Sequence, residues 1–196
     1  MISVEEALEI LLSNLPERRS ERVAFQNALG RVLSEDLAAT SDIPPFHRSS
    51  MDGYAVRVAD VRNAPVELKC AGESRAGGGM PGELKAGEAI AIMTGAPVPE
   101  GADAVQIIEE CEITDGGRSV RIRKPVKELE NVAPQGSEVK SGSVFLAAGH
   151  RVGPAEIAAM ATFGYASALV YAKPRVAILA TGDELVEFDR EPRPGQ

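Results

Sequence analysis

Residues 104–123 read AVQIIEECEITDGGRSVRIR, and the fold turns on how this stretch is interpreted. Two apolar runs, Ala104 to Ile113 and Ser119 to Arg123, flank Asp115-Gly116-Gly117. That triplet suits a tight reversal, because Asp and Gly accept the backbone conformations that close a hairpin. The second run alternates Val120, Arg121, Ile122, Arg123, the period of two expected of a strand with one packed face and one wet face. Its arginines are expected to point into water. From Ser41 to Gly142, clusters such as Asp42-Ile43-Pro44-Pro45 and Gly77-Gly78-Gly79 separate further short apolar runs, so strands dominate the middle of the chain.

Outside this region the period changes. Ser3 followed by Glu6 is a capping box, and Val4, Ala7, Leu8, Leu11, Leu12 and Leu15 recur at helical spacing before Pro16 closes the segment. Between Arg22 and Ala39, Gly30 interrupts the apolar residues. A short helix is expected near Gln26 to Leu29 and a strand near Val32 to Leu37. After Gly142 come a strand at Val144 to Leu146, a helix opened by Pro154 and ended by Gly164, and a strand at Ser167 to Tyr171. A helical opening, a strand-rich middle and a helical return are what one domain inserted into another produces. The expected class is therefore α+β and β-rich: a mixed α/β domain from residues 1–40 with 142–172, and an inserted β-rich domain over 41–141. Arg175 to Ala180 is nearly continuous aliphatic sequence ending in Thr181-Gly182, the pattern of a parallel strand buried on both faces. Residues 173–196 are accordingly read as the start of a truncated α/β domain, and the chain as a fragment.

Composition narrows the functions available. The chain has 196 residues, 44% hydrophobic, with 4% aromatic, no Trp, 19 Gly and 13 Pro, which suits small aliphatic cores linked by many turns. A formal net charge of −8 and the lack of a basic run argue against nucleic acid as the main partner, since that binding needs a cationic face. The opening MISVEEALEI has no cationic segment ahead of its apolar residues, and no run is long enough to span a bilayer. A cytoplasmic location without a membrane partner is expected. Cys70 and Cys111 stand apart from each other and from His47 and His150 in sequence, so they read as reduced structural thiols and not as zinc ligands.

Three polar loops are candidates for chemistry. Ser49-Ser50-Met51-Asp52-Gly53-Tyr54-Ala55 reads either as an ordinary Asp-Gly turn or as a functional loop. In Ile92-Met93-Thr94-Gly95-Ala96-Pro97 a strand ends on Thr-Gly, where the Thr94 hydroxyl and amides freed by Gly95 would hold an oxyanion, unless the loop is merely a tight connection. Thr181-Gly182-Asp183-Glu184-Leu185 follows the expected parallel strand at the end where open α/β sheets bind ligands. Two adjacent carboxylates repel a bare anion, so their work is to hold a divalent cation or orient a hydroxyl or ammonium group, with helix capping by Asp183 as the competing reading. Gly72 to Gly79 lacks the Gly-Lys-Ser/Thr of a phosphate-cradling loop, and His47 without a partner reads as structural or solvent-facing.

PPFHRSSMDGYAVR, IMTGAPVPEGADAV, QGSEVKSG and RVAILATGDELV, in this order, resemble the molybdopterin molybdenumtransferase family, which includes MoeA and the E domain of gephyrin. The resemblance covers the whole chain and the N-terminal half of the family's usual length. It implies that the strand-rich middle is the family's inserted second domain and that Arg175 begins a third, MogA-like domain. It implies insertion of molybdate into adenylylated molybdopterin with release of AMP, assisted by Mg2+ or another divalent cation. It implies a homodimer whose site lies between the middle domain of one subunit and the third domain of the other. Asp52, Thr94 and Glu184 match the family's functional residues, with Asp52 the candidate for the cation. Ser50, Gly95, Glu138 and Asp183 are the corresponding substrate contacts. The chain departs from the family pattern at Gly136-Ser137-Glu138, where Gly-Glu-Asp after an arginine-bearing segment is common, and at His47-Arg48, where Asp-Asn is common. A non-catalytic dimeric scaffold of the same family is the alternative.

Overall fold

The structure is a computed structural model describing residues 2–196. Helix α1 (Val4–Ser13) leads to β1 (Ser20–Ala24), β2 (Leu37–Ala38), β3 (Arg48–Ser49), β4 (Gly53–Val56) and the short helix α2 (Val58–Val61). Strands β5 (Val66–Ser74), β6 (Glu88–Ile92), β7 (Ala104–Ile107), β8 (Cys111–Thr114), β9 (Ser119–Ile122) and β10 (Val132–Ala133) follow. The chain ends its regular structure with β11 (Val144–Leu146), α3 (Pro154–Thr162) and β12 (Ser167–Tyr171). The class is mixed α+β and strand-rich, as expected.

The middle of the chain is a six-stranded sheet in the order β7-β4-β6-β5-β9-β8, antiparallel except for the β5–β6 pair. Alternation along its strands gives it two packed faces. Tyr54, Val56, Leu68, Ala89, Ala104, Val120 and Ile122 form one core with Val61 and Val126. Ala55, Ile90, Ile92 and Val105 turn the other way and pack with Leu84, Ala96 and Val98. The hairpin forms between β8 and β9, where Asp115, Gly116 and Gly117 all adopt positive φ. Val120 and Ile122 are fully buried while Arg121 faces solvent. Residues 104–107 leave the hairpin: a 3-10 turn at Ile108–Glu110 redirects the chain, and β7 pairs with β4 instead.

A separate core gathers Ala28, Leu33, Leu37, Leu146, Val152, Met160, Ala168 and Val170. Here β1 pairs antiparallel with β12, and β2 with β11, so residues before the large sheet pack on residues after it. The helix expected near Gln26 is a 3-10 turn at Phe25–Asn27. The strand expected from Val32 to Leu37 is reduced to bridges at Val32 and Leu33 and to β2. Strand β1, SERVA, carries no apolar pattern and forms through its pairing with β12. Helix α3 starts on Pro154, with the Glu156 carboxylate accepting from the Gly153 N–H at 2.8 Å.

Two segments lack a partner. The α1 capping box is present, Ser3 Oγ accepting from the Glu6 N–H at 3.1 Å, yet no residue of α1 is buried. Residues 175–180 do not form the expected strand, and Ile178 is 90% exposed. A strand of that composition needs neighbours on both faces and both edges to satisfy its backbone and cover its side chains, and the described residues supply none.

Cys70 and Cys111 are free and half-buried beside Tyr54. Burial pushes the Cys111 thiol up to about 12, with Glu110 adding to the effect, and burial raises Cys70 as well. Neither is a thiolate near neutrality, so iodoacetamide at pH 8 is expected to modify both more slowly than a free cysteine. Mass spectrometry of the labelled protein checks this, and rapid labelling of Cys111 would contradict it.

Candidate functional site

The first two polar loops meet at Ser49. This buried residue donates its N–H to the Ala96 carbonyl at 2.9 Å and accepts the Gly95 N–H on its own carbonyl at 2.8 Å. Its hydroxyl donates to the Met51 carbonyl. The chain then turns outward, exposing Ser50, Met51 and Asp52, and re-enters the sheet at Gly53. Gly53 is required by space and not by its backbone angles: a Cβ there would overlap the Gln106 carbonyl oxygen of β7. Asp52 is thereby held at the end of a central strand, its own carbonyl accepting from the Ile108 N–H at 3.0 Å.

One oxygen of Asp52, Oδ1, accepts both from the Thr94 N–H at 2.6 Å and from the Thr94 hydroxyl at 2.9 Å. The backbone bond, then the hydroxyl bond, lower the carboxyl below its ordinary value, against a small opposing cost of burial. Asp52 is therefore an anion, and its Oδ2 has no hydrogen-bond or ion-pair partner among the described residues. Two exposed methionines, Met51 and Met93, flank the pair.

The oxyanion nest expected at Thr94-Gly95 is not open. The Thr94 amide and hydroxyl go to Asp52, the Gly95 amide to Ser49 and the Ala96 amide to the Met93 carbonyl. Thr94 gives its donors to the Asp52 carboxylate and leaves none open to a ligand oxyanion.

A third loop, 135–142, meets the segment that leads into β3. Glu138 reaches Arg48 of β3 at 2.8 Å, and the Gln135 N–H donates to His47 Nδ1 at 3.2 Å. His47 is exposed, and its ring has this one hydrogen-bond partner among the described residues. Asp42 was read only as part of a turn cluster, yet its carboxylate accepts from the Ser141 N–H at 2.9 Å and from the Gln135 side-chain amide at 2.8 Å. Asn131, in a left-handed conformation, accepts the Ser50 N–H on its carbonyl at 2.9 Å and donates from its side chain to the Val105 carbonyl at 2.9 Å. A polar residue just before a strand was the available signal for Asn131. The cation that meets this loop is Arg48, which comes from a different stretch of sequence.

Asp183 and Glu184 are not brought into this cluster. They lie on an exposed turn closed by the Leu185 N–H on the Gly182 carbonyl at 3.1 Å, and neither makes a side-chain hydrogen bond or ion pair among the described residues. Asp183 caps no helix. Among the described residues no three His, Cys, Asp or Glu side chains gather as metal ligands.

Known proteins share this fold. The family described as MoeA N-terminal region (domain I and II) matches residues 2–164, and the chain belongs to it. A molybdopterin molybdenumtransferase of Staphylococcus epidermidis is 38% identical over 199 residues, covering 100% of this chain and 47% of the relative. One from Staphylococcus aureus is 38% identical over 193 residues, covering 96% and 45%. A crystal structure of the molybdopterin biosynthesis MoeA protein from Pyrococcus horikoshii aligns with a TM-score of 0.89 at 36% identity, over 100% of this chain and 51% of that one. The chain spans about half the length of the curated relatives it matches. A role in molybdenum cofactor biosynthesis follows from this membership. No helix among the described residues is long and apolar enough to cross a membrane.

Proposed function

We propose that this region forms one wall of the site of a molybdopterin molybdenumtransferase, where molybdate is inserted into adenylylated molybdopterin and AMP is released. The observation that carries the reading is the Asp52–Thr94 pair, an ionised carboxylate fixed through one oxygen and free at the other. The substrates bring several negative oxygens together. A carboxylate tolerates them only through an intervening positive charge, which a bound Mg2+ or similar cation would supply. Asp52 Oδ2 is the protein oxygen offered to it, and Thr94 keeps that oxygen in one orientation. Ser50, two residues before Asp52, and Gly95, next to Thr94, are the neighbouring candidates for substrate contact.

Glu184 and Asp183 act, on this reading, from a third domain against the Asp52 wall of a second subunit. The exposed apolar residues of α1, Val4, Leu8, Leu11 and Leu12, are the surface proposed to bury against that subunit. A monomer in sedimentation at micromolar concentration would count against the dimer. A full-length gene carrying this region is expected to restore molybdoenzyme activity to a cofactor-deficient cell. Failure to do so, with the protein folded and dimeric, would instead favour a non-catalytic scaffold.

A further inference from the structure

We infer that Arg48 is an oxyanion-binding residue held in reserve by Glu138, and that Asp42 is the positioning residue that sets this latch. The inference rests on the reading that this face receives an anionic substrate. Arg48 precedes Ser49, the residue knotted to Gly95 and Ala96, and bridges to Pro97. Its backbone is therefore tied to the 95–97 segment that follows Thr94.

Only one arm of the guanidinium is engaged. Nη2 donates to Glu138 Oε1 at 2.8 Å, while Nη1 and Nε have no acceptor among the described residues. Both side chains are open to solvent, Arg48 at 43% and Glu138 at 54%. A pair this exposed contributes little to stability and exchanges readily with other ligands. A tetrahedral oxyanion offers two oxygens to the planar fork and can replace a carboxylate that uses one.

Glu138 is held near Arg48 by more than attraction. Its N–H and that of Val139 donate to the Ile43 carbonyl at 2.9 and 3.0 Å, and the Ile43 N–H donates back to Val139 at 2.7 Å. Asp42 closes the loop on both sides through Gln135 and Ser141, and Gly136 lies so near its carboxylate that an added Cβ would sit 3.3 Å from Oδ1. Lys140, the other cation of this loop, lies beside Asp42. The loop therefore supplies a fixed competitor for Arg48, and loosening it frees the guanidinium.

The test titrates molybdate and, separately, AMP into the 196-residue chain at low salt by calorimetry. Glu138→Gln is expected to tighten binding of at least one probe by about threefold, the fold-change equivalent of losing an exposed ion pair. Arg48→Gln added to it should abolish the gain. Asp42→Asn should reproduce part of the gain and speed hydrogen exchange at the Ser141 amide, leaving the Ala91 amide of β6 unchanged. A gain for AMP alone assigns a phosphomonoester; a gain for molybdate alone assigns the free tetraoxyanion. Unchanged or weaker binding of both probes by Glu138→Gln would overturn the inference, as would a gain that survives loss of Arg48. Neither result touches the role of Asp52, which AMP release by a full-length protein reports separately.

Discussion

Gly53→Ala is expected to destabilise the protein by about 3 kcal/mol or more, lowering Tm by roughly 10 °C. Strand β4 lies inside the six-stranded sheet, between β7 and β6, and the added methyl group would overlap the Gln106 carbonyl oxygen. That oxygen belongs to the backbone of a paired strand and cannot swing aside as a side-chain tip would. Relief requires β7 to separate from β4, which would uncover Ala104 and Val105, both fully buried. Gly82, where an added Cβ meets nothing within 4 Å, is the control, and Gly82→Ala should melt within a few degrees of the original protein. Thermal unfolding followed by circular dichroism measures both. A Gly53→Ala variant with unchanged Tm would refute the packing described for β4 and β7.

Asp52→Ala in a full-length protein is expected to lower molybdate-dependent AMP release by about 100-fold, the usual scale for removing one fixed electrostatic group from a site. Thr94→Ala should cost less, on the order of tenfold, because the backbone N–H of residue 94 still donates to Asp52. The pH dependence follows from the direction of the shift. The Asp52 carboxyl is lowered from 3.8 in the folded protein, so its contribution is fully present above that value and is lost only as pH falls through the lower folded value. No loss of activity between pH 5 and 7 should therefore trace to Asp52. Near-original AMP release by Asp52→Ala would remove the central residue from the proposal.

Much of this arrangement was legible in the sequence because local chemistry dictates it. The Val120/Ile122 alternation and the Asp-Gly-Gly reversal specify the β8–β9 hairpin without outside help, and the Ser3–Glu6 cap specifies α1. Strand β1 was not legible, since SERVA has no apolar pattern and owes its conformation to a partner almost 150 residues away. Asp52 and Thr94 stood out as separate loops. Their shared hydrogen bonds, and the consumption of the Thr94-Gly95 amides by Ser49 and Asp52, depend on how β3, β4 and β6 are arranged. Asp42 and Arg48 were hidden for the same reason: each acts across some 90 residues of chain. The aliphatic run 175–180 shows the converse, a strong local strand signal that remains unformed because nothing among the described residues pairs with it.

The most direct measurement follows AMP released from adenylylated molybdopterin on addition of molybdate, by a full-length protein carrying this region, before and after exhaustive chelation of divalent cations. If the Asp52 carboxylate accepts its polyanionic substrates only through a bound cation, release stops on chelation and returns when Mg2+ is restored. Release that continues undiminished in the chelated protein would contradict that role for Asp52.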